Sequence, residues 1–228
     1  MNFSDRGRVL VEAVTDLDGT DFVPALRGDY SFEDDVENWV PAEGKNDVLF
    51  DFESVQMLRQ ATHFYDTQRS VTSDELATVC EAMSAPETGL EVLAFVRDVE
   101  GLRPGVYLWG TTRFGLVCEA SEDELDRIEW VLQLEFARSP VFVAVVGDIG
   151  ACANMHAYRR MVVKAGSMCQ EGWLAAVARG LAGTIFAGII QGGIRDLGFD
   201  ATRRNAIVAF SFGHPVRILG AADGGRLE

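Results

Sequence analysis

Residues 156–183, HAYRRMVVKAGSMCQEGWLAAVARGLAG, form the least interrupted helical stretch of the chain, and no other feature constrains the fold as much. Gly180 followed by Leu181 reads as a Schellman-type stop, in which a left-handed glycine closes the helix and satisfies its last carbonyls. Gly166, with Ala165, Ala175 and Ala176, leaves a small-residue surface that a second helix or a flat ring can approach. Just upstream, Pro140 ends one helical pattern and VFVAVVG (141–147) follows, a continuous apolar run of the kind found in the middle of a sheet.

The elements around this pair are read from period and punctuation. FESVQMLRQATHFY (52–65) repeats Val55, Leu58, Ala61/Thr62 and Tyr65 at helical spacing. A second helix opens with Thr72 as N-cap and Glu75 three residues on, a capping box, and carries Leu76, Val79, Cys80 and Met83 as its buried stripe before Pro86 stops it. LEVLAFV (90–96), GVYLW (105–109) and FGLVCEA (114–120) are strand-like, the last two joined by a Gly-Thr-Thr-Arg turn into a hairpin. Ser121 and Glu124 form another capping box, opening a helix over EDELDRIEWVLQLEFARS. Beyond the long helix come a Gly-rich loop, a short amphipathic piece and a final strand, NAIVAFSFG (205–213). The order lacks regular βα alternation and no strand is followed by Gly-x-Gly-x-x-Gly, which disfavours a Rossmann-type site and predicts an α+β fold.

Charge and cysteine usage exclude several classes. With 35 acidic against 20 basic residues the chain has a formal net charge of −15, which argues against nucleic-acid binding and against docking on an anionic membrane. The acidic surplus is concentrated early, in DLDGTD and DYSFEDDVENW, where it reads as a solvated segment. Residues 1–65 are accordingly read as an acidic N-terminal arm or subdomain, 66–220 as the main domain and 221–228 as a disordered tail. Cys80, Cys118, Cys152 and Cys169 stand far apart, so neither a zinc site nor a disulfide framework is indicated. With no signal peptide or long apolar run, a cytoplasmic location is the expectation.

Four stretches, in order, resemble the nitroreductase superfamily, and specifically its SagB/McbC-type branch. QRSVTSDELATVCEAMSAP is similar to the Arg-Arg-Ser and capped helix that open the family's flavin domain, keeping Arg69 and Ser70 but placing Gln68 where the first Arg stands. RDVEGLRPGVYLW (97–109) resembles the branch's Val-x-Gly-Leu-x-Pro-Gly-x-Tyr phrase. The long helix matches the branch's helix at Ala165, Gly166, Gln170, Leu174, Ala175, Ala176, Gly180 and Leu181, and departs from it at Lys164, Ser167 and Glu171. FSFGHP followed by Arg217 looks like the family's closing strand. The resemblance covers roughly residues 66–217.

It implies a mainly antiparallel sheet flanked by helices, with the long helix at a dimer interface, as homodimer or as heterodimer with a related subunit, and flavin mononucleotide (FMN) as cofactor. Such a cofactor needs cations and donors for its phosphate and close backbone approach to its ring. Arg69, Ser70 and Arg217 are the implied phosphate contacts. Gly89 in PETG and Gly188 in AGIIQGG offer backbone approach, and Gln170 a polar contact. The branch's peptide-azoline dehydrogenases carry a Lys-Tyr pair just before the long helix, fitted to take a proton as hydride leaves. Here Cys152 and Ala153 occupy that place, so the substitutes are Tyr158, His156 and Lys164, with Cys152 itself. The implied reaction is oxidation of thiazoline or oxazoline rings in a ribosomally made peptide. The alternatives are a catalytically degenerate partner subunit of a peptide-modifying complex and a small-molecule nitro- or ene-reductase.

Overall fold

The computed structural model describes residues 36, 38–45, 49–85, 89–120, 138–189 and 205–216. The elements among them are β1 (Asn38–Pro41), α1 (Phe52–Leu58), β2 (Val71–Thr72), α2 (Ser73–Met83), β3 (Glu91–Val96), β4 (Val99–Glu100), β5 (Gly105–Trp109), β6 (Arg113–Glu119), β7 (Val141–Gly147), α3 (Met155–Ala178), β8 (Ala182–Phe186) and β9 (Asn205–Gly213). The expected helix over 122–139, with its Ser121 cap, lies outside the described residues apart from Arg138 and Ser139.

Seven strands form one antiparallel sheet in the order β1-β6-β5-β3-β7-β9-β8. β3 and β7 lie inside it, and every residue of β7 is buried, as its unbroken apolar run requires. Alternation along the strands builds two core faces. Val92, Ala94, Val141, Val143, Val145, Phe210 and Phe212 face one side, with Leu76, Val79 and Met83 of α2 and Met168, Trp173 and Ala176 of α3 in the same cluster. Leu93, Phe95, Val106, Leu108, Phe142 and Ala144 face the other. This is the α+β architecture expected, a sheet with the long helix packed on its β7-β9-β8 side.

The capping box of α2 is formed as read: the Glu75 backbone N–H donates to Thr72 Oγ1 at 3.2 Å and the Thr72 N–H donates to Glu75 Oε2 at 2.9 Å. α3 ends in the Schellman geometry, with Leu181 N–H donating to Ala176 O and Gly180 N–H to Val177 O, and Gly180 at φ +78°. A side chain at Gly180 would be strained and would meet Leu49 at 3.1 Å. Gly180→Ala is therefore expected to cost about 1 kcal/mol, read as a lower thermal midpoint.

Three readings change. The helix from residue 52 ends at Leu58 rather than continuing to Tyr65, because the following chain makes other bonds. Thr62 N–H donates to Gly183 O, Tyr65 bridges Pro215, and the Tyr65 hydroxyl lies 3.0 Å from Ser211 Oγ. Of the proposed stripe only Val55 is buried on the helix, while Leu58 is 52% exposed. The long helix stops at Ala178, and the segment read as its end and a loop contains β8, which extends the sheet beside β9. On α3 it is Gly172, not Gly166, that permits close helix packing: a methyl there would sit 2.5 Å from Met83 Cγ, whereas one at Gly166 meets nothing within 4 Å. The described part of the first 65 residues packs on the rest, with β1 paired to β6 and Leu49 N–H donating to Ala178 O. No described helix is long and apolar enough to cross a membrane.

Candidate functional site

The sheet has two ends, and the residues singled out above divide between them. Register places Val96 beside Val141, Val141 beside Phe212 and Gly213 beside Ala182, which defines the Val96 end. Glu91 lies beside Val146, and Gly147 beside Asn205, which defines the Glu91 end, about 17 Å away along β3.

Arg69 and Ser70 are at the Val96 end, on the turn leading into β2 and α2. Arg69 is exposed, with its backbone N–H donating to Asp66 O. The Ser70 hydroxyl donates to Asp98 Oδ1 at 2.7 Å, so its proton is already committed, and a phosphate contact there would have to displace a carboxylate. Behind them His214 is buried, its Nε2 3.5 Å from Glu75 Oε2, while its carbonyl accepts from Asp66 N–H. Burial pushes the His214 pKa down, Glu75 pushes it back up, and the Arg69 guanidinium lowers it again. His214 and Glu75 are the buried polar centre of this end. Sequence reasoning gave His214 no role and Glu75 only its cap, since nothing local announces that residues 139 positions apart will meet. Arg217 lies outside the described residues.

The Glu91 end holds Gly89, at φ +68° with open space around it, and Gly188, two residues beyond β8. It also holds the approach to α3. Asp148 caps a 3-10 turn (Ile149–Ala151), accepting from Ala151 N–H, and Asn154 caps α3 by accepting from Ala157 N–H at 2.9 Å. Cys152 is half-buried, 3.9 Å from Met161 Sδ and from Asp148 O. Burial, then the Asp148 charge, raises its thiol pKa, which is opposite to what a reactive thiolate needs.

The catalytic candidates on α3 do not converge. At 100° per residue Tyr158 lies about 160–200° round the helix from His156. Tyr158 is half-buried, His156 is exposed, and Lys164 shares the His156 side of the helix. Gln170, half-buried, makes no hydrogen bond through its amide among the described residues; one turn on, the Arg59 guanidinium lies 4.7 Å from the centre of the Trp173 ring. Both Arg59 Nε and Trp173 Nε1 are buried without an acceptor among the described residues. Cation–π attraction offsets part of that cost. Donors lacking acceptors thus gather on the second half of α3. No described group of His, Cys, Asp or Glu could hold a metal ion.

The fold that these elements define is that of the nitroreductases. A candidate nitroreductase from Anabaena variabilis ATCC 29413 superposes with a TM-score of 0.67 at 19% identity over 86% of this chain, which spans 45% of the length of that protein. The E. coli microcin synthetase McbBCD complex, solved with truncated pro-MccB17 bound, matches with a TM-score of 0.57 at 15% identity, over 90% of this chain and 91% of the matched one. A candidate nitroreductase from Exiguobacterium sibiricum 255-15, solved in complex with FMN, gives 0.54 at 14%, over 75% of this chain and 91% of the other. No known protein-family profile matches the sequence, and no curated protein does. At these identities the likeness is one of fold.

Proposed function

We propose that this chain is an FMN-dependent oxidoreductase of the azoline-dehydrogenase kind, acting in the cytoplasm on thiazoline or oxazoline rings of a ribosomally made peptide. The observation that carries the reading is the match of 90% of the chain to a synthetase complex solved with a peptide bound, on a fold whose other members include one crystallised with FMN.

The donor set fits such a cofactor in part. The exposed guanidinium of Arg69 is free to meet a phosphate, with Arg217 as its proposed companion. Gln170 has an uncommitted amide beside the unsatisfied donors of Arg59 and Trp173, and flavin rings are rich in acceptors. Ser70 fits less well, since Asp98 holds its hydroxyl. Arg69 and the backbone at Gly89 and Gly188 lie at opposite ends of one sheet. One chain therefore supplies only part of a flavin's surroundings, and a second subunit, identical or related, supplies the rest across α3.

Bound FMN would accept hydride from the ring carbon. The chain's own residues have to orient the peptide and take the accompanying proton. Tyr158, half-buried near the start of α3, would relay that proton, its hydroxyl oxygen receiving it while the phenolic proton passes on to water. His156 and Lys164 face away from it. The degenerate-subunit reading also has an observation in its favour, because Cys152 and Ala153 replace the expected Lys-Tyr pair and burial, with the Asp148 charge, pushes the Cys152 thiol pKa up, away from a reactive thiolate.

The purified protein should be yellow, absorbing near about 450 nm as flavins do. A colourless protein that cannot be loaded with FMN overturns the proposal. Arg69→Ala should lower FMN retention at unchanged thermal stability; unchanged occupancy would remove Arg69 from the site. Incubation with an azoline-containing peptide should remove two hydrogens per ring, read by mass spectrometry. Flavin without ring oxidation leaves the degenerate subunit or a small-molecule nitro- or ene-reductase.

A further inference from the structure

The first half of α3 breaks two local rules of helix design. His156, Arg160 and Lys164 are spaced four apart, within about 80° of each other round the helix axis, so they form one basic stripe. The Arg160 and Lys164 charges, four apart, repel each other, and positive charge in the N-terminal half of a helix gains nothing from its dipole. No acidic residue stands in the first turn of α3, and its one acid, Glu171, lies at the far end of the stripe accepting a hydrogen bond from Ser167 Oγ at 3.0 Å. His156 and Arg160 are exposed and Lys164 half-exposed, and among the described residues none of the three makes an ion pair or hydrogen bond through its side chain. Val163 lies about 20° to one side of this stripe, next to His156 in angle, and is 73% exposed.

A local arrangement that costs stability and gains nothing from the described residues marks a surface kept for something else. We propose that this face of α3, formed by His156, Arg160, Val163 and Lys164, is a docking surface for an acidic polypeptide segment with apolar residues among its carboxylates. Charge decides the sign of the partner. On a chain of net charge −15 the stripe is a local exception, and an anionic segment approaching elsewhere is repelled. Val163 decides the class. A largely exposed branched side chain on the flank of a cationic stripe matches a segment that sets apolar groups among its carboxylates, and contributes nothing towards a bare phosphate. The two permanent charges, Arg160 and Lys164, on such an acidic chain are too few for the counterion-release binding of nucleic acid. The inference does not depend on flavin being bound, and it assigns His156 and Lys164 to recognition rather than proton transfer.

The probe is a short fluorescein-labelled peptide in which Asp and Glu alternate with Leu and Phe, titrated with the full chain and followed by fluorescence anisotropy. Binding should weaken with added salt and fall at least about tenfold in the double variant Arg160→Glu, Lys164→Glu. Folding is protected in that variant, because both positions face outwards and the reversal exchanges one like-charge pair four apart for another; its thermal midpoint should hold while binding is lost. Arg103→Glu, at an exposed pair with Glu119 far from α3, should leave binding intact. Equal affinity of the double variant and the natural chain overturns the proposal, as does absence of binding. So does a concentration-dependent dimer in sedimentation that the same reversal abolishes, which would make a second copy the occupant.

Discussion

Phe210→Ala is expected to destabilise the chain by about 3–5 kcal/mol, a large share of the roughly 5–15 kcal/mol that holds a domain together. Phe210 is fully buried in β9, between Val143 of β7 and Ile185 of β8. Its ring stacks on Phe212 with centroids 5.2 Å apart and lies 6.0 Å from Trp173 of α3. Removing it opens a void where strand, edge strand and long helix meet, and three rigid elements cannot collapse into that void together. The urea midpoint should fall at unchanged slope. A loss under about 1 kcal/mol would mean that α3 does not rest on this cluster in solution.

That junction also explains which parts of the fold were legible. β5, β7 and β9 match the expected strands residue for residue, because each is a run of apolar and β-branched residues bounded by Gly, Pro or Asn. α2 and the end of α3 were legible through their caps, where one side chain or one glycine does a local job. What failed were segments whose conformation is decided by distant partners. Residues 59–65 carry a helical pattern, yet Thr62 finds Gly183 and Tyr65 finds Ser211, 146 positions away. β8 is hidden because Ala182 and Gly183 are poor strand formers, placed there by β9: a methyl at Gly183 would sit 2.2 Å from Ser211 O. The candidate site was less legible than the fold for the same reason. Arg69 and Ser70 were found from their resemblance to a motif, but that Asp98 holds Ser70 and that Glu75 and His214 share one buried corner is visible only after folding.

Glu75 is the residue on which that corner turns, and its replacement should have the second largest effect. Its carboxylate accepts from the Thr72 backbone N–H and hydroxyl and faces His214 Nε2. Glu75→Ala removes the cap and leaves buried donors unpaired, an expected loss of about 2–3 kcal/mol near pH 8. Glu75→Gln keeps an oxygen for Thr72 and should lose less there. The two variants separate differently in acid. The folded His214 binds its proton less readily than the ordinary histidine of the unfolded chain, whose reference pKa is 6.5, because burial outweighs the pull of Glu75. Stability from this site is therefore complete above that value and is lost as pH falls through it towards the folded pKa, since the unfolded state takes up the proton first. Removing the Glu75 charge takes away the largest influence holding the folded value up, while Asp66 still pulls up and Arg69 pushes down. Glu75→Gln should thus show a steeper fall in stability between about pH 7 and 5 than the natural chain, and His214→Asn a shallower one, in parallel urea titrations. Identical slopes in all three would show that His214 does not titrate with folding. If they diverge as stated, the turn carrying Arg69 is anchored to a pH-sensitive corner, and retention of the proposed FMN should weaken over the same interval in which that corner gives way.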